Sequence, residues 1–221
     1  RPADVINLSL GGPSFSGTAQ AVYQEARDQG AIIVAAAGND ATSQPSYPAA
    51  YDGVVSVSAV AINNDLAPYS NFGSAIDVAA PGGDTSRDVN GDGYADGVLS
   101  TSADDNGGFV YTFQQGTSMA APHVAAVAAL MRSVAPNLSP AQFDDLLMSG
   151  RLTDELGPPG RDDQFGYGLV NAYRAVIAAQ ELAGGPAGTP VPLLAVNPDG
   201  LNFGTGIAEL PLTISNGGTS N

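Results

Sequence analysis

Four short runs rich in apolar residues constrain the fold of this chain more than any other feature. They cover residues 5–10, 31–37, 54–62 and 75–80, and each ends where Gly, Pro or Asn follows. A strand that faces water on one side alternates apolar and polar residues, whereas a strand buried on both sides is apolar nearly throughout. The four runs therefore predict strands of a parallel sheet that is covered on both faces.

Helical patterns occupy segments between and after these runs. Residues 18–29 place four apolar or aromatic side chains at helical spacing: Ala19, Val22, Tyr23 and Ala26. Further helices are predicted at residues 118–133, 139–148 and 170–182. This order of elements indicates an α/β fold with a mostly parallel sheet and helices on both faces.

The composition changes towards the C-terminus. Residues 184–192 are rich in Gly and Pro, which is typical of a linker, and strand patterns follow at 201–203 and 210–214. We interpret residues 1–183 as part of an α/β domain and residues 193–221 as a truncated β-sandwich module, which resembles immunoglobulin-like repeats. Because no initiator Met or leading loop precedes the first strand pattern, we expect a fragment whose α/β domain is incomplete at its N-terminus.

Charge and composition exclude several classes of partner. The chain has 22 acidic residues against seven arginines and no lysine, so its formal net charge is −15. This charge argues against nucleic acids and anionic membrane surfaces, because both are themselves negative. No apolar run approaches the roughly 20 residues of a membrane-spanning helix, and the absence of cysteine excludes disulfides and thiolate chemistry.

The most specific motif is GTSMAAPHV at residues 116–124. Ser118 follows a Gly-Thr turn and opens a helix of small residues, so the free N–H groups of the helix start lie beside its hydroxyl. Small side chains in the first turns allow such a helix to lie close to a sheet. Taken alone, the pattern also fits a serine that only caps its helix.

The motif resembles the nucleophile motif of the subtilisin family of serine proteases, and three further segments match that family in the right order. DVINLSLGG at residues 4–12 resembles the strand that lines the primary specificity pocket. AAAGN at 35–39 resembles the segment with the oxyanion-hole asparagine, and GYGLVNA at 166–172 resembles the motif before the last helix. The resemblance spans residues 4–182 and implies a subtilisin-like fold, a secreted or cell-surface serine endopeptidase, and polypeptide substrates.

The resemblance also implies roles for individual residues. Ser118 matches the nucleophile, and Asn39 matches the amide that, with the Ser118 N–H group, donates to the oxyanion of the tetrahedral intermediate. The walls and floor of a broad pocket for a large apolar side chain fall on Ser9, Leu10, Gly11, Ala37, Gly38 and Ser46. The family's cis peptide at the rim of this pocket falls on Tyr47–Pro48.

Two members of the catalytic triad have no match in this sequence. The family's Asp and His precede the nucleophile in the chain, but no DSG, DTG or HG string is present. The single histidine, His123, lies five positions after Ser118 on the same predicted helix, which turns it away from the serine, so we expect it to be structural.

Three interpretations stay open. The chain can be part of a protease whose Asp and His lie upstream, which its abrupt ends favour. It can instead be a pseudoprotease that has lost catalysis, or a surface scaffold whose protease-like domain only binds peptide. The upstream sequence and labelling by a serine-directed fluorophosphonate discriminate between these possibilities.

A second candidate site is DVNGDGYAD at residues 88–96. Oxygen-bearing side chains occupy the first, third, fifth and ninth positions of a calcium-binding loop, with Gly93 at the sixth. Leu99 replaces the bidentate Glu of an EF-hand, so the loop resembles dockerin-type repeats instead. Against the alternative of an acidic turn, we predict a structural Ca²⁺ ion bound by Asp88, Asn90, Asp92, Tyr94 and Asp96.

Overall fold

The computed structural model describes residues 3–185 and the backbone of residues 194–197 and 213–216. The strands are β1 (Val5–Leu8), β2 (Ile32–Ala36), β3 (Val54–Val60), β4 (Val78–Pro81), β5 (Val98–Ala103), β6 (Phe109–Gln114), β7 (Thr153–Asp154), β8 (Leu169–Val170), β9 (Leu194–Asn197) and β10 (Thr213–Asn216). The helices are α1 (Gly17–Asp28), α2 (Thr117–Val134), α3 (Pro140–Met148) and α4 (Ala172–Leu182).

One six-stranded sheet organises the α/β part of the chain. Its strand order is β1-β2-β3-β4-β8-β7, with parallel neighbours from β1 to β8 and an antiparallel β7 at the edge. Every residue of β2 and β3 is buried. Along β2, Ile32 and Val34 pack with the cluster that contains α2, whereas Ile33 and Ala35 pack with α1. The prediction of a mostly parallel sheet with helices on both faces is confirmed.

The sequence pattern of α1 predicts that Val22 belongs to the apolar face of the helix, but the structure leaves this side chain exposed. Val22 is 58% exposed, and α1 packs against the sheet through Ala19, Tyr23 and Ala26 instead. At 100° per residue these three side chains fall within a narrow stripe, and Val22 lies at the edge of that stripe. The helix is therefore held by a thinner apolar face than the sequence suggests.

A two-stranded hairpin of β5 and β6 was not predicted from the sequence. The strands pair antiparallel from Val98 with Gln114 to Ala103 with Phe109, and their residues alternate between half-buried and exposed. The hairpin lies in the chain between the acidic loop at 88–96 and the start of α2.

The C-terminal segment is described only at β9 and β10, which pair antiparallel in register. β10 overlaps the predicted strand at 210–214, whereas β9 was not predicted. The predicted strand at 201–203 lies outside the described residues. The linker and the immunoglobulin-like module stay predictions.

Two acidic side chains line a cavity of about 150 Å³ near the amino ends of β3 and β4. Asp77 Oδ2 accepts a hydrogen bond from Ser56 N at 2.8 Å, while Asp144 pairs with Arg27. Burial raises the pKa of Asp77 to about 6; the Ser56 N–H group opposes this rise and the nearby Asp144 carboxylate adds to it. Burial also raises the pKa of Asp144, although Arg27 opposes the rise.

We expect Asp77→Asn to stabilise the fold at neutral pH but not at pH 4. The pKa of the Asp77 carboxyl is about 6 in the folded state, whereas an ordinary aspartate has a pKa of 3.8. The folded state therefore binds the Asp77 proton more tightly than the unfolded state does. The parent therefore loses stability as the pH rises from 3.8 to 6 and regains none above it. Asparagine keeps an oxygen for Ser56 N–H and does not ionise, so the gain reaches up to about 3 kcal/mol.

Chemical unfolding of parent and variant near pH 4 and near pH 7 measures this difference. Asp105→Asn, which removes an exposed carboxylate far along the chain from Asp77, is the control for a change of net charge alone. A stability difference between Asp77→Asn and parent that is the same at both pH values would contradict the prediction.

Candidate active site

Ser118 is the second residue of α2 and lies beside the carboxyl end of β1. Ser9 Oγ donates to the Ser118 carbonyl at 2.8 Å, and Ser118 Oγ makes a long hydrogen bond of 3.4 Å to the Ser9 carbonyl. Ser9 therefore fastens the end of β1 to the helix that carries Ser118. This contact places the Ser118 hydroxyl at the edge of the sheet where parallel strands end, which is the usual position of α/β sites.

The orientation of the Asn39 amide follows from its contacts with Thr117. Asn39 Oδ1 accepts hydrogen bonds from Thr117 N and Thr117 Oγ1, both at 2.9 Å. A backbone N–H can only donate, so this contact identifies the oxygen and leaves the Nδ2 group pointing the other way. Among the described residues Nδ2 has no hydrogen-bond acceptor, so its protons are available to a ligand.

Two donors converge beside the Ser118 hydroxyl. The Ser118 N–H group belongs to the first turn of α2, where N–H groups lack partners within the helix and the helix dipole is positive. A Cβ atom at Gly116 would lie 3.6 Å from Ser118 N and 3.7 Å from Asn39 Nδ2, with φ at +143°. Because Gly116 has no side chain, it leaves free a space that borders both donor nitrogens, which suits an oxyanion.

A cleft of about 510 Å³ extends from these donors. Its lining includes six of the residues singled out from the sequence: Leu10, Gly11, Gly38, Asn39, Ser46 and Ser118. The other two predicted pocket residues do not line it. Ser9 contacts Ser118 as described, and Ala37 is buried with its carbonyl bonded to Asn71 Nδ2 at 2.9 Å.

Two glycines of the cleft wall lie against neighbouring side chains. A Cβ atom at Gly38, whose φ is +108°, would lie 2.3 Å from Asn71 Nδ2, and one at Gly11 would lie 2.8 Å from Ser46 Oγ. Any side chain at these positions would displace its neighbours or fill the cleft. Steric crowding thus explains why the predicted pocket walls consist of small residues.

Sequence reasoning missed Asn71, which lies against the cleft and is only 3% exposed. Its Oδ1 accepts from Asp40 N at 2.9 Å and from Thr42 N at 3.4 Å. Together with the bond from Nδ2 to Ala37, these contacts hold the loop on both sides of Asn39. No continuous motif indicates this role, because the contact joins segments about thirty residues apart.

His123 and the Tyr47–Pro48 peptide lie as the sequence predicts. His123 Nδ1 donates to the Met119 carbonyl at 2.8 Å, one turn back along α2. No histidine or carboxylate within residues 3–185 is hydrogen-bonded to Ser118 Oγ. The Tyr47–Pro48 bond is cis, which confirms that prediction.

The acidic loop at 88–96 is held by its own backbone. Asp88 accepts hydrogen bonds from the N–H groups of Gly91, Asp92 and Gly93, and Gly93 has the positive φ of +87° that the tight turn requires. Asp96 is buried and accepts from Val89 N. The described residues contain no group of three His, Cys, Asp or Glu side chains placed to hold a metal ion, so the Ca²⁺ site stays a prediction.

If the loop binds Ca²⁺, thermal unfolding of the protein should shift upwards with calcium and downwards with a chelator. A ligand that binds only the folded state stabilises it by RT ln(1 + [L]/Kd), which is about 2.7 kcal/mol at a hundredfold excess over Kd. Asp92→Ala should abolish the shift, because it removes the carboxylate at the fifth loop position. If the parent shows no shift with calcium, the loop is only an acidic turn. If Asp92→Ala keeps the full shift, the ion binds at another site.

Comparisons with known proteins indicate the family to which the chain belongs. The Subtilase family profile matches residues 1–168. An extracellular protease of Xanthomonas campestris pv. campestris is 42% identical over 181 residues, which are 80% of this chain and 29% of that protein. Subtilisin BL of Lederbergia lenta is 38% identical over 171 residues, which are 77% of this chain and 55% of that protein.

A solved structure supports the same assignment. A protease of Pseudoalteromonas arctica superposes with a TM-score of 0.71 at 44% identity, covering 80% of this chain and 52% of that chain. The chain thus spans only a part of each of these relatives.

None of the helices in the described residues combines the length and the hydropathy that a membrane span needs.

The family profile covers most of the chain, and the solved relative has the same fold and 44% sequence identity. The nucleophile motif that suggested the family lies at the start of α2, beside the cleft. The chain belongs to the subtilase family.

Proposed function

We propose that the full-length protein is a serine endopeptidase that cleaves polypeptides by acyl transfer through Ser118. The observation that carries this proposal is the convergence of the Ser118 N–H group and Asn39 Nδ2 on the open space beside the Ser118 hydroxyl. Two such donors stabilise the negative oxygen of a tetrahedral intermediate. A helix cap would need neither the second donor nor the cleft.

In this reaction Ser118 Oγ attacks the carbonyl carbon of the scissile peptide bond and transfers its proton to a general base. The carbonyl oxygen becomes an oxyanion held by Asn39 Nδ2 and Ser118 N. As the intermediate collapses, the C–N bond breaks and the proton passes to the leaving amine, and water then hydrolyses the acyl-enzyme. The cleft bounded by Gly11, Gly38 and Ser46 receives the side chain that precedes the scissile bond.

The base and its orienting carboxylate are proposed to lie in the part of the protein upstream of this chain. Without a base the Ser118 hydroxyl stays protonated and weakly nucleophilic, so residues 1–221 alone are expected to be inactive towards peptides. The relatives named as extracellular proteases support a secreted or cell-surface location, where polypeptide substrates are available.

Covalent labelling tests the proposal. The full-length protein is incubated with a fluorophosphonate, and the modified residue is identified by mass spectrometry. Stoichiometric modification of Ser118 together with cleavage of casein supports the endopeptidase. A full-length protein that neither reacts with the probe nor cleaves casein would favour the pseudoprotease or peptide-binding scaffold.

A further inference from the structure

The glycine that begins the nucleophile helix is not held by any side chain of its own segment. Gly116 is the N-cap of α2, has φ of +143° and ψ of 158°, and offers no side-chain hydrogen bond to the helix. Most N-cap residues use a side-chain oxygen to fix the first turn. Since glycine also has the most conformational freedom, the position of Gly116 depends on contacts from elsewhere in the fold.

The Tyr69 hydroxyl supplies those contacts. Tyr69 Oη accepts a hydrogen bond from Gly116 N at 2.9 Å, and the same N–H also approaches the Gly82 carbonyl at 3.0 Å. The single Tyr69 proton is donated to the carbonyl of Gly83 at 2.7 Å or of Gly82 at 2.9 Å. One hydroxyl therefore joins the loop after β4 to the N-cap of the nucleophile helix.

The backbone of the same tyrosine holds the segment that carries Asn39. The Tyr69 carbonyl accepts from Ala41 N at 2.9 Å, and two residues later Asn71 Oδ1 accepts from Asp40 N at 2.9 Å. Tyr69 thus contacts both segments that provide the oxyanion donors. The side chain packs against the main hydrophobic cluster, which restrains its own position.

The backbone around Gly82 is tightly packed against Tyr69 and Gly116. A Cβ atom at Gly82 would lie 2.4 Å from Ala59 Cβ, 2.9 Å from the Gly116 carbonyl and 3.0 Å from Tyr69 Oη. Nearby, Gln115 Oε1 accepts from Thr85 N at 2.6 Å and from Thr85 Oγ1 at 2.7 Å. These contacts join the two ends of the segment 86–114, which contains the acidic loop and the β5–β6 hairpin.

The hydroxyl keeps its proton under all ordinary assay conditions. Burial raises the pKa of Tyr69 to about 12, with a further increase from the Asp84 carboxylate and an opposing effect of the Gly116 N–H group. The bond to the Gly82 or Gly83 carbonyl is therefore available throughout the range in which a protease would work.

We propose that Tyr69 is a positioning residue that fixes Gly116 and the segment of Asn39 relative to each other, so that the two oxyanion donors keep their geometry. This inference rests on the proposed endopeptidase function. Tyr69 acts through Gly116 and Ala41 and does not itself touch the reacting atoms. Small displacements of such donors cost rate more than substrate binding, because the oxyanion exists only after attack.

The test is Tyr69→Phe in the full-length protein, which deletes the hydroxyl and keeps the ring. Active sites are first titrated with a fluorophosphonate, so kcat refers to folded sites only. We expect kcat for a chromogenic peptide to fall about five- to tenfold with KM nearly unchanged, since an indirect contact contributes less than a direct donor. Tyr51→Phe is the matched control, because the buried Tyr51 hydroxyl also accepts one backbone hydrogen bond, from Ser16 N at 2.9 Å.

The outcomes separate this inference from the proposed function. If the parent cleaves peptide and Tyr69→Phe lowers kcat while Tyr51→Phe does not, the positioning role is supported. Equal kcat in parent and Tyr69→Phe, or equal losses in both phenylalanine variants, would overturn it while leaving the endopeptidase intact. A parent without any cleavage would instead refute the proposed function, and the inference with it.

Discussion

Ser118→Ala in the full-length protein is expected to lower kcat for peptide hydrolysis by about 10⁶-fold, which is the loss that removal of the nucleophile causes in subtilisin. The methyl group cannot form the acyl-enzyme, whereas the Ser118 N–H donor and the cleft remain. KM should therefore change little, and a small residual rate above that in water should persist from the donors and from substrate binding.

Steady-state hydrolysis of casein and of a chromogenic peptide measures this effect. Ser133→Ala is the matched control on the same helix, because Ser133 is exposed and its hydroxyl bonds only to the Leu130 carbonyl of α2. A Ser118→Ala variant that keeps more than about one hundredth of the parental kcat would show that another group is the nucleophile.

The second large effect is expected from Asn39→Asp, which removes the proposed oxyanion donor and keeps the contact with Thr117. The aspartate keeps an oxygen that accepts from Thr117 N and Oγ1, so the fully buried Thr117 is not left unpaired. The aspartate cannot donate a hydrogen bond to the oxyanion, and its negative charge would repel the oxyanion. We expect kcat to fall at least about 10²–10³-fold, the size of the loss known for the equivalent donor in subtilisin.

Comparison with Asn39→Ala separates the two roles of this residue. Alanine removes the donor and also leaves the buried Thr117 N–H without its acceptor, which costs about 1–3 kcal/mol of stability. Both variants should lose catalysis, but only Asn39→Ala should unfold at a clearly lower temperature. An Asn39→Asp variant with parental kcat would exclude Asn39 as an oxyanion donor.

The local features of this chain were readable from its sequence wherever one segment carried the whole signal. The buried strand β2 follows from an apolar run without alternation and β3 from a run interrupted only by Ser56 and Ser58, while Ser118 and Asn39 follow from compact motifs. The β5–β6 hairpin has only a partial signal in the sequence: an Asn-Gly pair at Asn106 and Gly107, followed by β-branched and aromatic residues at 109–113. The residues of β5 and β6 do not alternate between apolar and polar, so periodicity does not predict the pair.

The contacts that shape the candidate site could be seen only in the folded chain. Ser9 contacts Ser118 across 109 residues, and Tyr69 reaches Gly116 across 47. Periodicity and turn residues report which face of an element is buried and where the element ends. They do not report which distant side chain packs against that end, because this depends on how the strands order themselves in the sheet and on the space that glycines such as Gly82 leave between them.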